Sequence, residues 1–179
     1  MKSLFKKILV LAVMFGTYTS YATDALKVAT SLISAKKGSL LSITDASGEV
    51  VYSGNLTTLF DFSQLQDGNY TIEVNKNFEI DINSIIVKNH VVTFIEDSAE
   101  KIFKPVFRTE DSMVLISKIA LDTKEMQVEL YYENELIHSE TVKGHEILNR
   151  VYRLDETFKG EYTAIVKSNE RVFIENFRI

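Results

Sequence analysis

The sequence predicts an all-β protein, two small β-sandwiches in tandem behind an N-terminal export signal. Three observations carry that prediction. Apolar and polar residues alternate with a period of two over most of the chain, as strands with one buried face require. A strand-turn-strand pattern is written twice, around Asp67-Gly68-Asn69-Tyr70-Thr71 and around Lys159-Gly160-Glu161-Tyr162-Thr163. Leu59–Val87 also aligns with Val151–Ile179 without a gap and with the apolar positions in phase. A period of about ninety residues is too long for a solenoid repeat, so each copy is expected to be a domain.

The first segment reads as a signal peptide, 1–22. Lys2, Lys6 and Lys7 precede the apolar run Ile8–Phe15, and Ser20-Tyr21-Ala22 places small residues where signal peptidase reads them. The run falls well short of the roughly 18–20 apolar residues that cross a bilayer. Cleavage is therefore expected between Ala22 and Thr23, with no membrane span afterwards. It would leave 157 of the 179 residues and, by removing three lysines and no acid, take the net charge from −5 to −8. Such an acidic balance disfavours nucleic acid and anionic lipid as partners, because both reward a basic face. With no cysteine, the chain has neither disulfides nor an acceptor for lipoprotein lipidation, so packing must stabilise it. The expected location is periplasmic, cell-surface or extracellular.

Repeat one is expected over 23–95. Leu41 and Ile43 alternate with Ser42 and Thr44, Ala46-Ser47-Gly48-Glu49 turns the chain, and Val50-Val51-Tyr52 returns as a hairpin. Leu65-Gln66-Asp67-Gly68 then launches the strand Tyr70–Val74. A loop at Lys76–Phe78 would set Val74 opposite Ile80 and Ile72 opposite Ile82. Between the copies, strands are expected at Val91–Phe94 and Ile102–Phe107, with Pro105 demoting the second to an edge. Ser98–Phe103 could form one helical turn, and Glu96–Lys101 is the candidate hinge.

Repeat two is expected over 96–179. Val128 and Leu130 take the places of Leu41 and Ile43, Leu136-Ile137 that of Val50-Val51, and Thr141–Asn149 is expected to be a long loop. Short strands with turns every eight to twelve residues suggest immunoglobulin-like sandwiches.

Little chemistry is legible. His138 falls at the position of Tyr52 and reads as a strand residue, and His145 lies in the expected loop; together they supply too few ligands for zinc. No nucleophile elbow, phosphate loop, HExxH pair or calcium-loop spacing occurs. The expectation is a non-enzyme without cofactor or metal. One difference between the copies points to an interaction site. The outward positions Thr44, Glu73 and Asp81 correspond to Tyr131, Ile165 and Phe173, so the outer face of repeat two is expected to carry an apolar cluster. A loop at Ser168–Glu170 would set Ile165 directly opposite Phe173. Such a cluster marks an interface: an interdomain contact, a protein partner or second copy, or a glycan stacked on Tyr131.

Leu41-Ser42-Ile43-Thr44-Asp45-Ala46-Ser47-Gly48-Glu49-Val50-Val51-Tyr52 and Phe62–Val74, with its Leu65-Gln66-Asp67-Gly68-Asn69-Tyr70 turn, resemble the C-terminal sorting domains of type IX secretion in Bacteroidota. The resemblance covers about fifty residues of repeat one and, more weakly, the matching stretch of repeat two. It implies a β-sandwich of seven to eight strands and export to the cell surface. The Asn-Pro that commonly opens those domains is absent, and Glu133-Asn134-Glu135 replaces the hairpin glycine in repeat two. Asp97-Ser98-Ala99 and Asp111-Ser112-Met113 also resemble a short O-glycosylation signal of some Bacteroidota. The function expected is that of a binding or structural accessory module at the cell envelope, with a type IX substrate as the alternative.

Overall fold

The computed structural model describes residues 39–55 and 60–179, so the expected signal peptide and its Ala22–Thr23 junction lie outside the described residues. Thirteen strands and one short 3-10 turn are present there. In order they are β1 (Leu40–Asp45), β2 (Val50–Asn55), the 3-10 turn (Phe62–Gln64), β3 (Gly68–Asn75), β4 (Glu79–Lys88), β5 (Val91–Phe94) and β6 (Glu100–Phe103). They continue with β7 (Val106–Glu110), β8 (Met113–Ile119), β9 (Glu125–Tyr132), β10 (Glu135–Lys143), β11 (Ile147–Arg153), β12 (Glu161–Ser168) and β13 (Arg171–Arg178). The fold is all-β, with antiparallel pairing in each register observed.

The chain divides into two compact units, the first reaching Lys76 and taking in Asp81–Glu100, the second comprising Asn77–Ile80 and Lys101–Ile179. The division runs through β4. One sheet has the order β2-β1-β3-β4-β5, with β6 also pairing β4. Leu41, Ile43, Ile72, Val74, Ile85 and Val87 bury one face of this sheet with Phe62 and Tyr70. The hairpin between β1 and β2 turns on Asp45, whose carboxylate accepts from the Ser47 N–H at 2.8 Å, the Ser47 hydroxyl at 2.7 Å and the Glu49 N–H at 3.0 Å. Gly48 takes φ 88° there, a conformation open to glycine at no steric cost.

The second unit has two sheets, β10-β9-β12-β13 and β11-β8-β7. Three plus four antiparallel strands over a shared core is an immunoglobulin-like sandwich. Val114, Ile116 and Leu148 come from the smaller sheet; Met126, Val128, Leu130, Val142, Tyr162, Ala164 and Val166 come from the larger. At roughly 1.5–3 kcal/mol per large buried apolar side chain, this core is the main stabilising contribution.

Several expectations are corrected. Glu100–Phe103 is strand, not helix, because its alternation pairs it with β4 and buries Ile102. The strand expected over Ile102–Phe107 is two strands, broken at Lys104-Pro105 where proline has no N–H for a ladder. Thr141–Asn149 is mostly strand: β10 continues to Lys143 and β11 starts at Ile147, leaving Gly144–Glu146 as the connection. Finally, the β12–β13 loop has two residues, not three, since Ser168 pairs with Arg171. Asn169 and Glu170 both adopt positive φ, 50° and 58°, as a tight hairpin turn demands.

Candidate functional site

That shorter loop rearranges the expected interface. Ile165 pairs with Ile174, and Phe173 pairs with Val166. Cross-strand partners share a face, so Phe173 joins Val166 on the inner side and packs against the core. Its place on the outer face is taken by Val172 and Ile174, which are 56% and 57% exposed. Tyr131 and Ile165 remain on the outer face, half-buried.

The registers arrange this face as a grid. Leu136, Tyr131, Thr163 and Asn176 form one row across β10, β9, β12 and β13. Ser139, Glu129, Ile165 and Ile174 form the next, and Thr141, Gln127, Lys167 and Val172 the third. At the centre Glu129 is 8% exposed. Its Oε1 accepts from Lys167 Nζ at 2.6 Å and from Gln127 at 3.2 Å, and its Oε2 accepts from the Tyr131 hydroxyl at 3.0 Å. The Lys167 ammonium, then the Tyr131 hydroxyl, hold the Glu129 carboxyl below its ordinary range. Glu129 in turn raises both Tyr131 and Lys167, so carboxylate, phenol and ammonium are each held in their neutral-pH forms. The result is a charge-balanced polar centre flanked by apolar side chains.

Residues of repeat two that the sequence reading passed over form two further clusters. Lys118 is 2% exposed, and its Nζ lies 2.5 Å from Asp122 Oδ1. Asp122 Oδ2 also accepts from the Phe103 N–H at 3.0 Å and the Asn169 amide at 2.9 Å. The phase of Val114 and Ile116 puts Lys118 next on the inner face, which is the signal that could have found it. A neighbouring groove of about 430 Å³ is lined by Phe78, Phe103, Val106, Ile119 and Ile147 with Lys118. Elsewhere, Tyr152 on β11 donates to Glu140 on β10 at 2.8 Å, and Arg150 Nε donates at 3.3 Å, joining the two sheets. His138 does occupy a strand, and its ring lies 5.3 Å from that of Tyr152. Of the two Asp-Ser segments, Ser112 is buried and donates to Glu156 at 3.1 Å, so its hydroxyl is closed to a sugar.

The first unit offers a comparison with known proteins. β1, β2 and β3, with the Asp45–Gly48 hairpin and the Gly68–Tyr70 strand start, reproduce the elements on which the sorting-domain resemblance rests. Residues 22–88 match the family described as secretion system C-terminal sorting domain. The sorting-type stretch thus takes in β1 to β4, and Lys101–Ile179 of the second unit lies beyond it. No curated protein matches the chain. Among solved structures, a marsupial T cell receptor aligns over 80% of this chain and 53% of its own, at 12% identity and TM-score 0.34. The chain therefore spans about half the length of that receptor chain. A chimeric titin Z1Z2 tandem aligns over 79% and 83% at 10% identity and TM-score 0.27. The amphioxus IgVJ-C2 molecule aligns over 82% and 89% at 11% identity and TM-score 0.23. Among the described residues no helix is long and apolar enough to cross a membrane.

Proposed function

We propose that this is an exported, non-catalytic β-sandwich protein that leaves the cell by the type IX route, with residues 22–88 as its sorting-type module. The observation that carries the reading is the family match over those residues. The second unit then serves as the part that makes contact, through the face bearing Tyr131, Ile165 and Ile174 around Glu129. Fractionation tests the route. In a Bacteroidota host with a working type IX translocon the protein should be found outside the outer membrane; without the translocon it should accumulate in the periplasm. Periplasmic retention in both hosts would sink the route.

A second reading is an accessory module that stays in the envelope and binds another protein there. It is favoured by the exposed Val172 and Ile174 beside the polar centre, outside the sorting-type stretch. Under this reading the native protein keeps both units after export and stays periplasmic. Intact-mass measurement of the fractionated protein separates the two.

A further inference from the structure

The two edges of the second unit's larger sheet are built differently. β10 carries a bulge, since Tyr131 pairs with Leu136 and Leu130 with His138, leaving Ile137 as the extra residue. Its Glu140 is also tied to β11 through Tyr152 and Arg150. Bulges and side-chain ties of this kind blunt a sheet edge against unwanted pairing. β13 has neither bulge nor proline: eight consecutive residues pair with β12 without a shift in register. Among the described residues no strand lies on its other side.

The direction of its backbone groups follows from the turn. Two positive-φ residues at Asn169 and Glu170 close a hairpin in which Ser168 and Arg171 exchange both hydrogen bonds. The same phase returns at the strand's end, where Gly160 and Ile179 exchange bonds at 3.2 and 3.3 Å. Hydrogen-bonded positions are therefore the odd-numbered ones. The N–H and C=O groups of Val172, Ile174 and Asn176 point away from β12.

We propose that β13 pairs antiparallel with β13 of a second copy about a twofold axis at Phe173, joining two four-stranded sheets into one. In that register Val172 meets the partner's Ile174 through outward backbone groups on both strands, as a ladder needs. The side chains of the same two residues, now exposed, lie side by side. Arg171 stands opposite the partner's Glu175, and by symmetry this charge pair occurs twice. A step either way along the strand would set a charged residue, Glu175 or Arg171, against Phe173. The segment is thus self-complementary in charge and apolarity, as an interface of twofold symmetry requires. Arg171 also interacts within its own chain, and the pairing needs only that its charge lie opposite Glu175. This inference does not depend on the secretion route.

Sedimentation velocity on the purified full chain tests it. A concentration-dependent dimer is expected. Arg171→Glu or Glu175→Arg alone should weaken it by about tenfold or more, since each turns two attractive pairs repulsive. The double reversal R171E/E175R should restore it. Ile174→Pro, which removes an outward N–H and an exposed side chain, should abolish it. Thermal melts confirm that each variant is folded; should R171E fail to fold, E175R and I174P decide the matter by themselves. A protein that stays monomeric at every concentration, or a dimer indifferent to E175R and I174P, overturns the proposal. So does a folded double variant that fails to recover the dimer.

Discussion

Tyr162 donates its hydroxyl to the carbonyl oxygen of Phe158, four residues upstream, at 2.9 Å. In the first unit Tyr70 donates to the Gln66 carbonyl, also four residues upstream and also at 2.9 Å. Both tyrosines are buried at the start of a strand in the middle of its sheet, where the chain arrives from a loop. This is the tyrosine corner of immunoglobulin-like domains. It gives the twice-written Gly-x-Tyr pattern a physical meaning, because the phenol anchors the incoming loop while its ring fills the core.

Tyr162→Phe keeps the ring and leaves the Phe158 carbonyl without its donor. The expected loss is about 1 kcal/mol of unfolding free energy, the ordinary net value of one such bond. Urea titration of the variant against the native chain measures it.

The two glycines of that pattern are predicted to respond differently. A Cβ at Gly160 would meet the Tyr132 ring at 2.8 Å and the Glu133 carboxylate, whereas at Gly68 it would find ordinary contact with Tyr70 at 3.5 Å. Gly160→Ala should cost about 1–3 kcal/mol through overpacking, and Gly68→Ala should be close to neutral. Equal effects in thermal melts would contradict these environments.

The β12–β13 register is open to a direct check. Phe173 packs on the core and Ile174 faces outward. Phe173→Ser should destabilise by about 2 kcal/mol or more, because apolar area is lost from the core. Ile174→Ser should stay within about 0.5 kcal/mol, as is usual for surface changes. The reverse order would restore the three-residue loop.

Asp122 holds three elements at once through Lys118, Phe103 and Asn169. Asp122→Ala would leave the buried Lys118 ammonium uncompensated, at an expected cost of about 3–5 kcal/mol. Replacing the pair together, as K118M/D122A, should cost less than D122A alone. Denaturant midpoints of the two variants provide the comparison.

Stability should fall in acid, in part through Glu140. The Tyr152 hydroxyl, and after it Arg150, hold its carboxyl below the ordinary value of 4.5. With the folded-state pKa depressed, the unfolded chain takes up the proton first as pH falls. The contribution is therefore present above about pH 4.5 and is lost as pH drops through the folded-state value. Glu140→Gln should lower stability at neutral pH and show a shallower acid decline. A gap from the native chain that stays constant down to pH 3 would refute this role.

Much of the fold could be read from local pattern. Period-two alternation identified Leu41 and Ile43, and Val128 and Leu130 in their places, as inward-facing, because a half-buried strand repeats every second residue. The bulges were less accessible. Val51 and Ile137 are the extra residues at equivalent places in the two hairpins, and each looks in sequence like one more apolar strand position. Lys118 was hidden for the opposite reason, since a lysine at an inward position reads as surface until its partner Asp122 is seen.

The sequence by itself determined the all-β class, most of the strands and the inward faces of β1 and β9, all of which depend on residues close together in the chain. The tertiary structure alone decided which side Phe173 faces and what Glu129 touches. Ser168-Asn169-Glu170 can close a hairpin with either two or three residues, and one residue of slip turns every later side chain over. The two-residue turn lets Phe173 reach the core, while the outer face gathers Glu129, Lys167 and Tyr131 from two strands separated in sequence. Such a choice rests on packing against distant elements, where local pattern carries no information.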